Sequence, residues 1–168
     1  MQMSLIERES SNKIITIWDD YHKPRPDNVA VSIDEKNYTT ITNNLKRAPM
    51  FMFPVKKGTG HFKLISQKQE NSILFTYMAE YQKKGVHAAP YVVFTFFEEL
   101  LKRKHLALLR GDIIDGKLTK EEGEELLKNF LMFYLTSDLM ERFVVPFNEI
   151  ESKFDYLEYC RLLDIQPN

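Results

Sequence analysis

Two segments of this chain carry apolar side chains on both faces of an extended strand, and they restrict its fold more than any other feature. Residues 50–55 read Met-Phe-Met-Phe-Pro-Val, and residues 91–97 read Tyr-Val-Val-Phe-Thr-Phe-Phe. Successive side chains of a strand point to opposite faces of the sheet. A strand with one face in water therefore alternates apolar and polar residues, as Phe62, Lys63 and Leu64 do. The two runs predict strands that are covered on both faces, either by helices of the same chain or by another protein.

These runs belong to a series of predicted strands in the middle of the chain. The segments are rich in Phe, Tyr, Val and Ile, which is typical of strands. Most of the connections between them are short and turn-like, such as residues 57–60 and 70–71. Because parallel neighbours need a crossover of about a dozen residues or more, short connections favour antiparallel pairing. The predicted strands cover residues 29–31, 50–55, 61–67, 72–78, 91–97 and 105–113.

Apolar residues at helical spacing predict helices before and between the strands. Residues 13–22 repeat an apolar side chain every three or four positions. A second stripe extends to Pro49, and Ser32 and Glu35 ahead of it have the spacing of a capping box. A short helical insert is predicted over residues 98–104, between the last two strands.

Two further helices are predicted after the sheet. Thr119 and Glu122 have the spacing of a second capping box. Gly123 lies on the apolar stripe that follows and is a poor helix former, which predicts close approach to a neighbouring backbone. A weaker last stripe comprises Ile150, Phe154, Leu157 and Cys160. The sequence thus predicts an α+β fold, an antiparallel meander sheet of about five to seven strands flanked by N-terminal and C-terminal helices.

Length and charge restrict the classes of protein to which the chain can belong. Its 168 residues suit a single domain over residues 1–168, with about the first dozen expected to be loosely ordered. The 23 basic and 24 acidic residues leave a net charge of -1, which argues against a nucleic-acid partner. No apolar stretch approaches the roughly 20 residues of a membrane helix, so membrane insertion is not expected. Cys160, the only cysteine, is predicted to be a small buried apolar residue.

The residues that could carry catalysis are scattered. His22, His61, His87 and His105 include no pair four residues apart that could present two imidazoles to one metal. Residues 57–61 lack the Gly-Lys-Ser/Thr ending of a phosphate-binding loop. We therefore predict no catalytic, cofactor-binding or metal-binding residues. The alternative left open is a small hydrolase or isomerase with a histidine–acid site, in which His61 or His105 lies near an acidic residue.

A resemblance to a known family lies in the fourth predicted strand and the loop that follows it. The run from Phe75 to Gly85, Phe-Thr-Tyr-Met-Ala-Glu-Tyr-Gln-Lys-Lys-Gly, and the closing Ala-Ala-Pro of residues 88–90 resemble the signature of the ATP synthase F(1) assembly chaperones that bind the β subunit. Residues 48–55 and 108–112 are similar to the family's strands before and after that signature. Ala89 departs from the pattern, because the family has two prolines at the end of its signature.

The resemblance implies a molecular chaperone of the mitochondrial matrix, made with a transit peptide that is absent from this chain. Such a protein binds the unassembled β subunit of F(1) and prevents its aggregation until the α subunit replaces it. The resemblance implies no nucleotide, no cofactor and no enzymatic activity.

For the contact with the β subunit, we predict an apolar patch on the sheet with two residues at its rim. Replacement of Phe94 by Asp would separate a core position from a docking position, because only a core position should cost several kcal/mol of stability. The predicted patch comprises Met50, Met52, Val92, Phe94 and Phe96, with Tyr81 and Gln82 at the rim.

Overall fold

In the computed structural model, which describes residues 2–167 except for the side chain of Glu151, six antiparallel strands form one sheet. The order across the sheet is β1-β6-β5-β4-β3-β2. Strands β2 to β6 therefore form the predicted meander, and β1 pairs with β6 at the far edge. The strands are β1 Asn28–Asp34, β2 Met50–Lys57, β3 Gly60–Gln69, β4 Ser72–Tyr77, β5 Pro90–Phe97 and β6 Leu106–Ile113.

Helices precede the sheet, interrupt it and follow it, so the predicted α+β class is confirmed. A π-helical turn, Met140–Val144, joins the seventh and eighth helices. The predicted limits of the domain and the loose order of its first residues stay predictions. The helices of the described residues are α1 Met3–Ile6, α2 Ser11–His22, α3 Glu35–Arg47, α4 Met78–Lys84, α5 Leu101–Lys104, α6 Lys120–Leu135, α7 Ser137–Leu139, α8 Val145–Glu149 and α9 Tyr156–Leu163.

One face of the sheet packs against α3 and α6 and forms the main core. The ring of Phe130 in α6 contacts the rings of Phe75 and Phe94 at centroid distances of 6.5 and 5.5 Å. The capping box predicted at the start of α6 is confirmed. A Cβ added to Gly123 would lie 3.0 Å from the Cδ1 of Ile113 and 3.3 Å from the Cγ1 of Val29. The predicted close approach at Gly123 is therefore present, although it is made to side chains of the sheet rather than to backbone.

The second face of the sheet carries α2 over β1 and β6. Ile14 and Trp18 of α2 belong to a second apolar cluster with Leu106 and Leu108 of β6. The indole Nε1 of Trp18 also donates a hydrogen bond of 3.4 Å to the carbonyl oxygen of Leu109. The apolar pattern over residues 13–22 thus predicts the helix and the burial of Ile14 and Trp18, but Tyr21 of the same stripe is exposed and His22 is buried instead.

Side chains from the C-terminal helices bond to three outward backbone groups at the free edge of β2. Asn148 accepts a hydrogen bond from the backbone N–H of Met50 at 3.0 Å and donates one to the carbonyl oxygen of the same residue at 2.6 Å. The hydroxyl of Tyr159 donates to the carbonyl oxygen of Met52, and Pro54 has no N–H to offer. Residues 51–55 are all buried. The prediction of coverage on both faces is correct for β2, and this chain's own elements supply the cover.

Two local predictions are wrong at helix starts. Helix α3 begins after Asp34 rather than at a Ser32 capping box, because the Asp34 carboxylate accepts the backbone N–H of Asn37 at 2.7 Å. Helix α4 was not expected from the sequence. Its N-cap residue, Tyr77, makes no side-chain capping hydrogen bond. The usual start signal of a helix is therefore missing there.

The last predicted stripe is wrong in two of its four members. Ile150 and Leu157 are 45% and 58% exposed, while Cys160 is buried as predicted. The reason is a short 3-10 turn over residues 151–153, which separates α8 from α9. Because the chain does not run as one helix through this region, apolar residues at helical spacing on either side of the turn do not fall on one helix face. Tyr159 takes the central buried position in α9 instead.

We expect acid to destabilise the fold through His22. This side chain is buried, and its Nδ1 donates a hydrogen bond of 2.7 Å to the carbonyl oxygen of Trp18. Burial and the neighbouring positive charges of Arg110, Arg25 and Lys120 lower the pKa of His22 below 6.5. The folded state therefore binds this proton less tightly than the unfolded state. Its contribution is complete above about pH 6.5 and is lost as the pH falls below that value.

Urea unfolding at about pH 7.5 and pH 5.5 checks this prediction. The free energy of unfolding should fall at the lower pH, and the fall should be smaller in a His22→Gln variant, which cannot take up the proton. Burial and Lys63 lower the pKa of His61 too, so a residual dependence of the same sign is expected in the variant. An equal fall in both proteins would contradict the assignment to His22.

Candidate partner-binding surface

Four residues of the predicted patch lie in the core. The relative exposure of Met52 is 5%, that of Val92 and Phe94 is 0%, and that of Phe96 is 4%. Their side chains belong to the main cluster, which α3, α6 and the C-terminal helices cover. A partner cannot contact them without displacing those helices. The patch is therefore revised, and of its apolar members only Met50 is partly exposed.

The reason for this difference lies in the alternation of β5. Val92, Phe94 and Phe96 face the main core, while the intervening residues from Tyr91 to Phe97 are only half-buried. Both sets are largely apolar, so the pattern alone does not say which of the two faces the helices cover. The register of the sheet decides it.

The same register defines a row of half-buried side chains on the second face, beyond the area that α2 covers. Met50 pairs with Gln67, Gln67 pairs with Leu74, and Leu74 pairs with Val93. All four side chains are partly exposed. Leu74 and Val93 belong to neither apolar cluster. We call Met50, Gln67, Leu74 and Val93 the open row.

A second candidate feature is the connection between β4 and β5, residues 78–87, which we call the α4 segment. It consists of α4 and a 3-10 turn, and every side chain in it is partly or fully exposed. The predicted rim residues lie here, with Tyr81 half-buried and Gln82 exposed. Val86 presents an apolar side chain that is 71% exposed. Gly85 ends α4 with φ at 57°, a conformation that favours glycine.

An aromatic base holds the two ends of the α4 segment together. Tyr77, just before the segment, stacks on Tyr91, just after it, with ring centroids 5.7 Å apart. Phe62 contacts both rings, and the ammonium group of Lys117 lies 5.3 Å from the Tyr91 ring centroid. Burial, together with the nearby Glu80 carboxylate, raises the pKa of Tyr91. The exposed segment thus projects from a packed stem.

The residues that sequence reasoning missed are Gln67, Leu74, Val93 and Val86. Leu74 and Val93 alternate with buried residues in strands, and their apolar type does not separate them from the core. Gln67 is polar, but its sequence position does not show that it lies beside exposed apolar residues of other strands. Val86 could have been found, because it is an apolar residue beside a glycine in a polar connection.

The alternative histidine–acid site has a partial counterpart in the structure. The Nδ1 of His105 lies 2.6 Å from a carboxylate oxygen of Glu35, beside a cavity of about 270 Å³. Both side chains are exposed, and the backbone N–H of Glu35 donates to the carbonyl oxygen of His105 at 3.0 Å. The nearby hydroxyl of Thr39 donates to the carbonyl oxygen of Glu35. The pair is explained as a clasp between the start of α3 and the start of β6.

The remaining histidine of that alternative, His61, has no acidic partner among the residues that the structure describes. Its Nε2 is buried without a hydrogen bond. In residues 2–167 no group of three or more His, Cys, Asp or Glu side chains is placed to hold a metal ion. None of the helices in the same part of the chain has the length and apolar character of a membrane span.

The geometry defines a class first: a single-sheet α+β protein in which helices cover one sheet face and part of the other, leaving an open row and an exposed helical segment. Comparison with known families identifies the family within this class. The model of the family described as "ATP11 protein" matches residues 1–158, and the chain belongs to this family.

Curated relatives agree with the family match. The chain is 21% identical over 159 residues to a Danio rerio protein named ATP synthase mitochondrial F1 complex assembly factor 1, covering 94% of this chain and 52% of the relative. The Homo sapiens protein of the same name is 22% identical over 164 residues, covering 96% of this chain and 49% of the relative. Protein atp11, mitochondrial, of Schizosaccharomyces pombe is 27% identical over 118 residues, covering 67% and 41%. The chain spans about half the length of the curated relatives it matches.

Proposed function

We propose that this protein is a non-enzymatic chaperone for the assembly of the F1 sector of mitochondrial ATP synthase. The observation that carries the proposal is the match of the ATP11 family model to residues 1–158. The names of the relatives describe F1 complex assembly factors, which supports an F1 subunit as the partner. Their names also say mitochondrial, which supports a mitochondrial location, and we propose the matrix as the compartment.

The proposed client is the unassembled β subunit. A subunit of a permanent complex exposes apolar surface until its neighbour covers it, and such surface aggregates when it is left free. A preformed sheet can cover part of that surface at little cost in ordering. We propose that the α subunit then displaces the chaperone, since it competes for the same surface and forms the larger permanent interface. Release by competition requires no nucleotide.

We propose that the client contacts the open row and the α4 segment. The open row combines apolar Met50, Leu74 and Val93 with one amide, Gln67, which is a composition suited to an interface. The α4 segment adds Tyr81 and the exposed Val86. Its packed aromatic stem supports this assignment, because a segment held in place loses less freedom on binding.

An aggregation assay tests the proposal. Isolated β subunit is kept under conditions in which it precipitates, and light scattering is recorded with and without an equimolar amount of this protein. We expect the protein to suppress the scattering in proportion to its amount and to release the β subunit when the α subunit is added. Unchanged precipitation at equimolar ratio would contradict the proposed function.

Surface variants test the proposed contacts in the same assay. Leu74→Lys and Val86→Asp should each weaken protection while leaving the melting temperature nearly unchanged, because both side chains reach solvent. Leu5→Asp is the matched control, since Leu5 is 71% exposed, as is Val86, but lies in α1. Full protection by both test variants would place the client contact elsewhere on the molecule.

A further inference from the structure

The two edges of the sheet differ in how their backbone groups are satisfied. At the β2 edge, Asn148 occupies both outward groups of Met50, and Tyr159 occupies the outward carbonyl of Met52. At the β1 edge, the pairing with β6 shows which groups point outward. Edge strands with free N–H and C=O groups are templates for another strand, so proteins usually block them. Since the protein covers outward groups at its β2 edge, groups left free at the β1 edge indicate a binding role for that edge.

Hydrogen bonds at both ends of β1 establish which of its residues bond to β6 and which direct their backbone groups outward. The N–H of Ile113 donates to the carbonyl oxygen of Asp27 at 2.8 Å, and the N–H of Glu35 donates to the carbonyl oxygen of His105 at 3.0 Å. Odd-numbered residues of β1 therefore bond to β6, and even-numbered residues direct their N–H and C=O groups away from the sheet.

The outward groups of Ala30 and Ser32 are open. Within residues 2–167 neither residue's outward N–H or C=O has a hydrogen-bond partner, and both residues are partly exposed. The neighbouring outward carbonyl, that of Asn28, accepts a hydrogen bond from the Lys120 ammonium at 2.8 Å. The free edge thus begins after Asn28 and offers two donors and two acceptors in the geometry of a strand.

A cleft of about 370 Å³ runs along this part of β1. Asp19 and His22 of α2 and the following Lys23 line one side, and residues of α6 line the other, with Val29, Ala30 and Val31 at the base. The free edge is therefore recessed between two helices rather than projecting from the molecule.

We infer that β1 is a strand-addition site, at which an extended segment of the client protein joins the sheet through its backbone. This inference rests on the proposed function for the existence of a client. An incoming strand lies about 4.8 Å from its neighbour and satisfies both donors and both acceptors at once. A second copy of this chain is a poor occupant, because its own β1 is recessed between its α2 and α6. Helices about 10 Å wide on both copies would meet before the two strands reached pairing distance.

Charges at the cleft refine the chemistry of the segment. Asp19 on α2 and Glu124 on α6 line the two sides. Neither carboxylate forms an ion pair or hydrogen bond with a described residue of the protein. The three donors of the Lys120 ammonium are already used by backbone carbonyls. Lys23 and Lys120 also line the cleft, so its formal charges balance. The cleft therefore attracts no charge as a whole, but the unpaired carboxylates of Asp19 and Glu124 can each accept a lysine or arginine of an extended segment.

Amide hydrogen exchange of the full chain, free and with an equimolar amount of isolated β subunit, tests the inference. In the free protein the amides of Ala30 and Ser32 should exchange fast, while those of Val29 and Val31 are protected by pairing with β6. In the complex the exchange of Ala30 and Ser32 should slow by at least about tenfold. A complex that leaves both amides fast overturns strand addition but leaves the chaperone function intact. Absence of any complex overturns both.

A proline variant gives a second, independent readout. Ser32→Pro removes an outward N–H that the protein itself does not use, so we expect it to fold and to bind the β subunit at least about tenfold more weakly. Ser32→Ala keeps the N–H and is the matched control, with binding unchanged. If Ser32→Pro does not fold, the exchange experiment on the unaltered chain still decides. Protection of Ala30 and Ser32 in a self-associated form without client would overturn the inference in favour of a second copy.

Discussion

Replacement of Phe94 by Asp is expected to unfold the protein. The Phe94 side chain is completely buried, with ring centroids 4.5 Å from Phe75 and 5.5 Å from Phe130. The ring also lies directly over Gly111, because a Cβ at that glycine would come within 2.8 Å of the Phe94 Cε1. An aspartate there removes the aromatic packing and buries a carboxyl group without a partner. Together these effects should cost about 4 kcal/mol or more, a large part of the stability of a domain.

The adjacent Thr95 provides a matched control for this prediction. Thr95 points to the opposite face, is half-buried, and pairs across the sheet with Arg110. Thr95→Asp introduces the same side chain opposite a positive charge and should cost no more than about 1 kcal/mol. Urea unfolding followed by circular dichroism measures both variants. If Phe94→Asp were as stable as Thr95→Asp and failed only to bind a partner, Phe94 would be a docking residue and the described core would be incorrect.

Replacement of Lys120 by Met is expected to release the linker between α2 and β1. The Lys120 ammonium donates hydrogen bonds to three carbonyl oxygens, those of His22 at 3.0 Å, Arg25 at 2.7 Å and Asn28 at 2.8 Å. Methionine preserves the aliphatic stem and removes all three donors. Hydrogen bonds to a charged donor are each worth about 1.5–3 kcal/mol, but water can reach part of this site. We therefore expect a loss of about 2–3 kcal/mol in the free energy of unfolding.

The geometry of the ammonium group is what matters at this position. Lys120→Arg should recover only part of the lost stability, because a planar guanidinium cannot direct its N–H groups to three carbonyls around one point. Lys128→Met is the control, since Lys128 is an exposed lysine of the same helix. Urea midpoints of the three variants measure the loss of stability, and hydrogen exchange at the amides of Lys23, Arg25 and Asp27 locates it. A loss in Lys128→Met equal to that in Lys120→Met would show that only net charge is involved.

These two predictions also restrict which surfaces of the protein a client can contact. If Phe94 and its neighbours Val92 and Phe96 are core, a client has to use the open row, the α4 segment or the free edge of β1. If Lys120 fixes the linker, it also fixes the start of β1 beside that edge, since its bond to Asn28 closes the last outward carbonyl before Ala30. Loss of Lys120 is therefore expected to disturb client binding as well as stability.

Local pattern accounts for much of the fold. Short connections between apolar segments correctly predict the antiparallel meander from β2 to β6, because a chain that turns within a few residues has to pair with its neighbour. The Thr119–Glu122 spacing correctly predicts the start of α6. Helix α4 is missed because Tyr77 gives no side-chain cap, and the Ile150–Leu157 stripe fails because a 3-10 turn interrupts it. Where a helix has no capping residue at its start, or where a turn interrupts the helical spacing, contacts with distant residues set its position. The spacing of apolar residues does not reveal those contacts.

The sequence by itself determined the strands, their neighbours along the meander, helices α2 and α6, and the resemblance to a chaperone family, since each of these depends on residues close together in the chain. Only the tertiary structure decided that Phe94 faces the core while Leu74 and Val93 reach the surface, and that the β2 edge is blocked while the β1 edge is free. The physical reason is that both faces of β5 are apolar, so burial depends on helices that come from distant parts of the sequence. Asn148 bonds to β2 from 98 residues further along the chain, and the sequence of the strand does not indicate that contact.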